Sequence, residues 1–237
     1  MHPALAGLCG AAATLFDLIV PRACVACGAT PAPAEPLCAA CADALGASPA
    51  PLLVADLRVR TLFAHLGPAR DLAHTLKYHG RRDVARFLAR RMTASGLLLG
   101  EPLPEPPPVL VPIPLHPRRE CARGYNQSML LAQAIAAAAP VLRVAPLLVR
   151  CRATRSQTAL GRTERAANVA GAFALAAPGV RARYPEAAVC PVLLVDDVVT
   201  TGATLVAAAA ALRSLGGGPI AAIAAARADV DLTHRRA

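Results

Sequence analysis

Apolar positions along the chain fall into short runs, each closed by a polar or proline-marked turn and followed by a longer alanine- and leucine-rich stretch. Val192 to Val195 is such a run, bounded by Pro191 and Asp196; after Thr-Thr-Gly-Ala-Thr comes "LVAAAAALRSLGGG", which has helix-forming composition and a glycine stop. Four consecutive apolar residues between turn signals read as a strand covered on both faces, so Asp196 and the threonines are expected on a strand-to-helix turn. Val109 to Val111 repeats the pattern, with a proline-punctuated loop and then a helix from about Gln127. Leu72 to Met92 alternates apolar and basic positions at helical spacing and is interrupted near Gly80. Leu147 to Leu175 begins as a strand and then turns polar and basic, as a mobile lid would. "EPLPEPPP", Glu101 to Pro108, can form neither helix nor central strand and reads as a linker.

The turn after Val195 carries chemistry. The first N–H groups of a helix are unpaired and favour an anion, Gly202 lets the backbone approach it, and Thr200, Thr201 and Thr204 add hydroxyl donors. That combination suits a phosphate monoester. Asp196 and Asp197 would repel a phosphate, so they must face another part of the ligand; ribose hydroxyls, or a sugar developing positive charge, fit best. The plainer reading makes the acids a solvated strand end and the threonines a helix cap. Arg118, Arg119 and Arg123 fall in or beside the loop of the other strand-loop-helix unit, with Gly124 permitting a tight turn. Pairing with nearby carboxylates is their plainer role.

Four of the eight cysteines are regularly spaced: Cys24, Cys27, Cys38 and Cys41, giving C-x2-C-x10-C-x2-C. Two such turns can complete a tetrahedral sulfur site, and structural zinc is the preferred occupant. Two disulfides, a redox pair or an iron–sulfur cluster are the alternatives. The intervening "GATPAPAEPL" has no hydrophobic period, so the module is expected to depend on its metal. Cys9, Cys121, Cys151 and Cys190 show no pairing and read as free thiols.

Length and charge narrow the picture. The 237 residues suffice for one α/β core with something small attached. The formal charge of +10 comes mainly from arginine, which holds phosphate and pyrophosphate bidentately, so a polyanionic ligand or partner is expected. Leu5 to Val20 is short for a membrane span and contains Asp17. It reads as an amphipathic or buried helix, and a cytoplasmic protein is expected.

The stretch "VLLVDDVVTTGATLV" resembles the phosphoribosyl pyrophosphate loop of type I phosphoribosyltransferases. The resemblance implies Asp196 and Asp197 on the ribose 2′ and 3′ hydroxyls, and Thr200, Thr201, Gly202, Ala203 and Thr204 around the 5′-phosphate. It further implies that Val111 to Leu115, Pro112 and Ile113 among them, with Arg118, Arg119 and Arg123, hold the leaving pyrophosphate. Arg162 and Arg165 fall in the segment that corresponds to a lid. Taken in order, the double CxxC, LKYHG, VPIPLHPRR with RGYNQ, SQTALGRTERAANVAGAF and VLLVDDVVTTGAT resemble the ComF family over nearly the whole chain. Members of that family resemble amidophosphoribosyltransferase domains and are associated with late competence, in which single-stranded DNA is taken up during natural transformation.

The resemblance therefore implies a type I phosphoribosyltransferase fold, a parallel sheet flanked by helices, over residues 56–237. An N-terminal helix and zinc module would occupy residues 1–55. It implies phosphoribosyl pyrophosphate as ligand with magnesium, transfer to a nitrogen acceptor, and a link to single-stranded DNA and a competence helicase-type partner. A non-catalytic component that binds single-stranded DNA or a regulatory nucleotide is the alternative. With four Phe, three Tyr and no Trp, no aromatic ladder is visible for strand binding.

Overall fold

The computed structural model describes residues 23–98, 105–152 and 169–228. The expected helix at Leu5 to Val20, Cys9, the first half of the Glu101 to Pro108 linker, and Arg162 and Arg165 with most of the expected lid lie outside the described residues.

Six strands form one mostly parallel sheet: β1 (Leu52–Val54), β2 (Leu57–Ala64), β3 (Val109–Pro112), β4 (Arg143–Val144), β7 (Val192–Val199) and β8 (Ile220–Arg227). The order is β1-β2-β8-β7-β3-β4, and every neighbouring pair is parallel except the edge strand β1 against β2. Two further strands, β5 (Leu148–Arg150) and β6 (Phe173–Leu175), make an antiparallel pair of their own. The sheet has helices α2 (Gly67–His79), α3 (Arg82–Ala94) and α5 (Gln127–Ala138) on one face; α1 (Ala39–Asp43) lies in the cysteine module and α4 (Pro117–Arg123) precedes α5. Helix α6 (Ala203–Leu212) and the β5–β6 pair cover the other face.

Two apolar layers follow from this arrangement. Leu72, Leu76, Leu88, Met92, Leu131 and Ile135 pack on Leu110, Leu193, Val195 and Ile223, while Leu205, Ala208, Leu212, Leu147 and Phe173 pack on Val109, Val111, Leu194 and Ala224. Consecutive residues of β7 thus enter opposite layers, which is why its apolar run is unbroken rather than alternating. The cysteine module joins the first layer: Cys24 and Leu37 are buried in it, and Arg90 of α3 pairs with Glu35 at 2.6 Å.

Three local differences from the sequence reading have physical reasons. β7 does not stop at Val195. Its neighbour β8 is equally long, and the pairing continues through Asp196 against Ala224 and Val199 against Arg227, so ladder bonds satisfy the backbone of the acids. The acids are therefore inside a strand, and the turn is confined to Thr200 to Gly202. The expected loop carrying Arg118 and Arg119 contains α4, opened by Pro117 at its first turn and closed by Gly124 in the left-handed conformation. The interruption near Gly80 separates two helices, with Gly80 left-handed at φ 58°.

Candidate functional site

The order of connection switches between the parallel strands β3 and β7: β3 leads through α4 and α5 to β4 on one side, and β7 leads through α6 to β8 on the other. A crevice outside the carboxyl ends of the strands is expected at such a point, and ligands of open α/β sheets bind there. Asp196 and Asp197 occupy the β7 side of it. Pro112 and Ile113 end the β3 side and are buried.

The acids are supported from α5. Asn126 caps that helix, its side-chain oxygen accepting from the N–H groups of Ser128 and Met129, while its Nδ2 donates to the Ile113 carbonyl at 3.0 Å. One residue thereby fixes both the loop after β3 and the start of α5. Ser128 Oγ then donates to Asp196 Oδ1 at 2.9 Å, and the Asp197 N–H donates to the same oxygen at 3.0 Å. Arg123 Nη1 donates to Gln127 Oε1 at 2.6 Å. Arginine can only donate, so this bond fixes the Gln127 amide and aims its Nε2 at Asp197 Oδ1, 3.5 Å away.

The two carboxyls are 8% and 5% exposed, yet Asp197 Oδ2 has no hydrogen-bond partner. A buried carboxylate oxygen left unpaired is costly, and functional sites are where that cost is retained. Burial pushes the Asp196 carboxyl well above the usual carboxylate range, and the charge and hydrogen bonding of Asp197 push it the same way; the Ser128 hydroxyl and the Asp197 N–H oppose this without prevailing. With Asp196 protonated, the pair would present one donor and one acceptor. That is the complement of a vicinal diol, whose hydroxyls both donate and accept.

Below the acids, Thr200, Thr201 and Thr204 are half-buried around the turn, Ala203 opens α6, and its N–H lies 3.5 Å from Thr201 Oγ1. Gly202 caps the helix at φ 77°, and a Cβ there would meet Val54 Cγ2 at 2.8 Å. Close approach at Gly202 is thus made by a side chain of β1, a use of this glycine the sequence did not disclose.

Arg118 and Arg119 are exposed on α4, and Arg123 is half-buried. Sequence reasoning missed Arg150. It is 8% exposed, its guanidinium carbon lies 5.3 Å from the Phe173 ring centre, and burial and Arg119 hold its pKa down while Asp196 raises it. An arginine closing the apolar run Leu147 to Val149 was the signal available. His65, just past β2, was also missed; its backbone donates to the Arg227 carbonyl at 2.7 Å, and burial, with Arg70, lowers its pKa against the pull of Asp197.

The four cysteines come together. The sulfurs of Cys24, Cys27, Cys38 and Cys41 all lie within 4.8 Å of one another, and Cys27 and Cys38 are 3.6 Å apart. That separation is far beyond a disulfide bond and near the roughly 3.8 Å edge of a tetrahedron built on Zn–S bonds of about 2.3 Å. Four cysteine sulfurs this close together could hold a metal ion, and the donor set fits structural zinc. Among the other cysteines, Cys121 and Cys151 are exposed free thiols and Cys190 is a buried one. No helix among the described residues is long and apolar enough to cross a membrane.

No family model matches the chain. It is similar to a protein named DNA utilization protein YhgH from Salmonella typhi, 36% identical over 142 residues, or 58% of each chain. The YhgH protein of Escherichia coli K12 is 34% identical over 152 residues, 62% of each. A protein named competence protein F from Haemophilus influenzae is 36% identical over 110 residues, 46% of each. The chain thus spans less than two thirds of the length of these curated relatives.

Proposed function

We propose, on the footing of the similarity to competence protein F and the YhgH proteins of the ComF family, that the chain binds phosphoribosyl pyrophosphate and transfers its phosphoribosyl group to a nitrogen acceptor. We propose with this a type I phosphoribosyltransferase fold and, from the relatives' names, a part in competence and DNA use. The observation that carries the reading is the buried acid pair with its unpartnered Asp197 Oδ2, set where the connections from β3 and β7 lead to opposite sides of the sheet, shortly before a Thr-Gly turn.

The residues divide the ligand among them. Asp197 accepts from one ribose hydroxyl and Asp196, retaining its proton, engages the other. Thr200, Thr201, Thr204 and the N–H groups of Gly202 and Ala203 take the 5′-phosphate. Pro112 and Ile113 place the loop under the pyrophosphate, and Arg118, Arg119 and Arg123 face it, with Arg162 and Arg165 closing over the ligand. Magnesium, carried by the pyrophosphate, would add charge neutralisation for the leaving group. The C1–O bond to pyrophosphate breaks with its electron pair going to pyrophosphate, a nitrogen lone pair forms the new bond to C1, and the acceptor nitrogen loses its proton to water. Charge on Asp197 stabilises the positive ring that develops between those events.

A second reading keeps the anion sites but has no turnover: a component that binds single-stranded DNA or a regulatory nucleotide. The relatives' names and the arginine-rich charge favour it. An adjacent acid pair beside the phosphate cradle does not, because it would repel a DNA backbone. Calorimetry with phosphoribosyl pyrophosphate and Mg²⁺, followed by an acceptor screen that reads pyrophosphate release, tests the proposal. Micromolar binding with acceptor-dependent release is expected. Absence of binding would overturn it, and binding without release on any acceptor would leave the second reading in place.

A further inference from the structure

Tyr78 is 54% exposed, whereas the other described aromatic side chains are buried or half-buried. One exposed tyrosine means little alone. Its surroundings are unusual because they come from two elements. Within α2, the His74 ring centre lies 4.5 Å from that of Tyr78, and Lys77 Nζ lies 5.6 Å from it. From α4, Arg123 places its guanidinium carbon 5.6 Å from the same ring centre. The Arg123 that reaches Tyr78 is the one that fixes Gln127, whose amide points at Asp197.

The join between these elements is built. The Tyr125 hydroxyl donates to the Lys77 carbonyl at 2.9 Å, and the Tyr125 ring lies against Gly80 so closely that a Cβ there would stand 2.8 Å from Cε1. The carboxyl end of α2 is thus locked to the segment that supports the acids. Tyr78 is therefore linked to Asp197 through one arginine and one glutamine, with cations at its ring.

We propose that Tyr78, with His74, Lys77 and Arg123, forms a subsite that stacks a planar nitrogen heterocycle bearing an anionic group, and that this is where the acceptor binds. This assignment to the acceptor rests on the phosphoribosyl reading of the acid pair. The tyrosine face supplies stacking, which tolerates many rings, and the cations select those carrying a carboxylate or phosphate. The same chemistry occurs in a free heterocyclic acid and in a nucleotide, so both serve as probes.

Calorimetry on the full chain with orotate and, separately, with adenosine 5′-monophosphate tests the subsite. At least one should bind. Tyr78→Phe should keep its affinity within about twofold, and Tyr78→Leu should weaken it about five- to a hundredfold, the range that base–aromatic stacking spans. Phosphoribosyl pyrophosphate affinity should be the same in both variants, which also reports that the crevice is intact. Lys77→Ala should reduce the preference for orotate over uracil, which lacks its carboxylate. If neither probe binds, or if Tyr78→Leu binds them as tightly as the parent chain, the subsite is overturned. Tyr78-dependent binding of the probes in a chain that ignores phosphoribosyl pyrophosphate would overturn the phosphoribosyl reading and leave the stacking subsite standing.

Discussion

Ser128 Oγ donates to Asp196 Oδ1 at 2.9 Å across the space between α5 and β7, and it is the one side-chain bond that resists protonation of this buried acid. The bond does not win. Because the folded state raises the Asp196 pKa, the folded chain binds its proton more tightly than the unfolded chain does. Stability is therefore highest at acid pH with respect to this group and falls as pH rises from the ordinary carboxylate value, about 3.9, through the raised one. Asp196→Asn removes the titration. Its unfolding free energy at neutral and alkaline pH should exceed that of the parent chain, and the difference should vanish toward pH 4. Urea titrations at a series of pH values read both; an Asn variant that is less stable at pH 8 would show that the carboxylate is not strained by burial.

The two acids should not be equivalent in binding. If Asp196 keeps its proton, an amide in its place retains one donor and one acceptor, so Asp196→Asn should weaken phosphoribosyl pyrophosphate modestly. Asp197→Asn replaces the unpartnered acceptor oxygen with a group that loses the charge, and should cost about 1.5–3 kcal/mol, or more than tenfold. Equal losses in the two single variants would contradict the shared-proton arrangement.

Gly80 and Tyr125 come from two separate motifs of the sequence and meet in the structure. Gly80→Ala must adopt φ 58° and must also displace the Tyr125 ring, so it should destabilise the chain by roughly 2 kcal/mol or more. Tyr125→Leu shortens the opposing side chain. In that background the Gly80→Ala penalty should shrink toward the backbone cost alone, about 1 kcal/mol. Thermal unfolding of the four chains in this cycle gives the coupling, and strict additivity would show that the ring does not press on Gly80.

The cysteine module should hold about one zinc per chain. Cys24 and Leu37 are buried in the layer that contains α2, α3 and α5, so stripping the metal should lower the unfolding temperature of the whole chain rather than of a detached segment. Elemental analysis with calorimetric melting before and after chelation checks this. A metal-free chain with an unchanged melting transition would remove zinc from the account.

Arg123→Ala should weaken phosphoribosyl pyrophosphate more than ribose 5-phosphate, because the arginine is placed to face the leaving group as well as Gln127. Calorimetry with the two ligands separates the effects. Equal loss for both would mean that Arg123 acts only by holding Gln127 in place.

Much of this arrangement was legible in the chain and some of it was not. The apolar runs at Val109 and Val192, the helix beginning at Gln127, and the double CxxC spacing each depend on residues close in sequence, and each matches the structure. The extent of β7 did not, because it is set by β8, a partner distant in sequence that prolongs pairing through Asp196 and Asp197. Ser128 and Gln127 are ordinary helix residues by local pattern; only the packing of α5 on β7 turns them toward the acids. Arg150 and Tyr78 were obscure for the same reason. Their meaning lies in Asp196 and Arg123, which reach them from other elements.

The most direct measurement is calorimetry on the double variant Asp196→Asn with Asp197→Asn, titrated in parallel with phosphoribosyl pyrophosphate plus Mg²⁺ and with single-stranded DNA. The account predicts that the sugar pyrophosphate loses at least tenfold in affinity, while DNA binding stays the same or strengthens as two carboxyl groups cease to oppose its phosphates. A double variant that binds the sugar pyrophosphate as tightly as the parent chain would contradict the central claim that the acid pair holds the ribose.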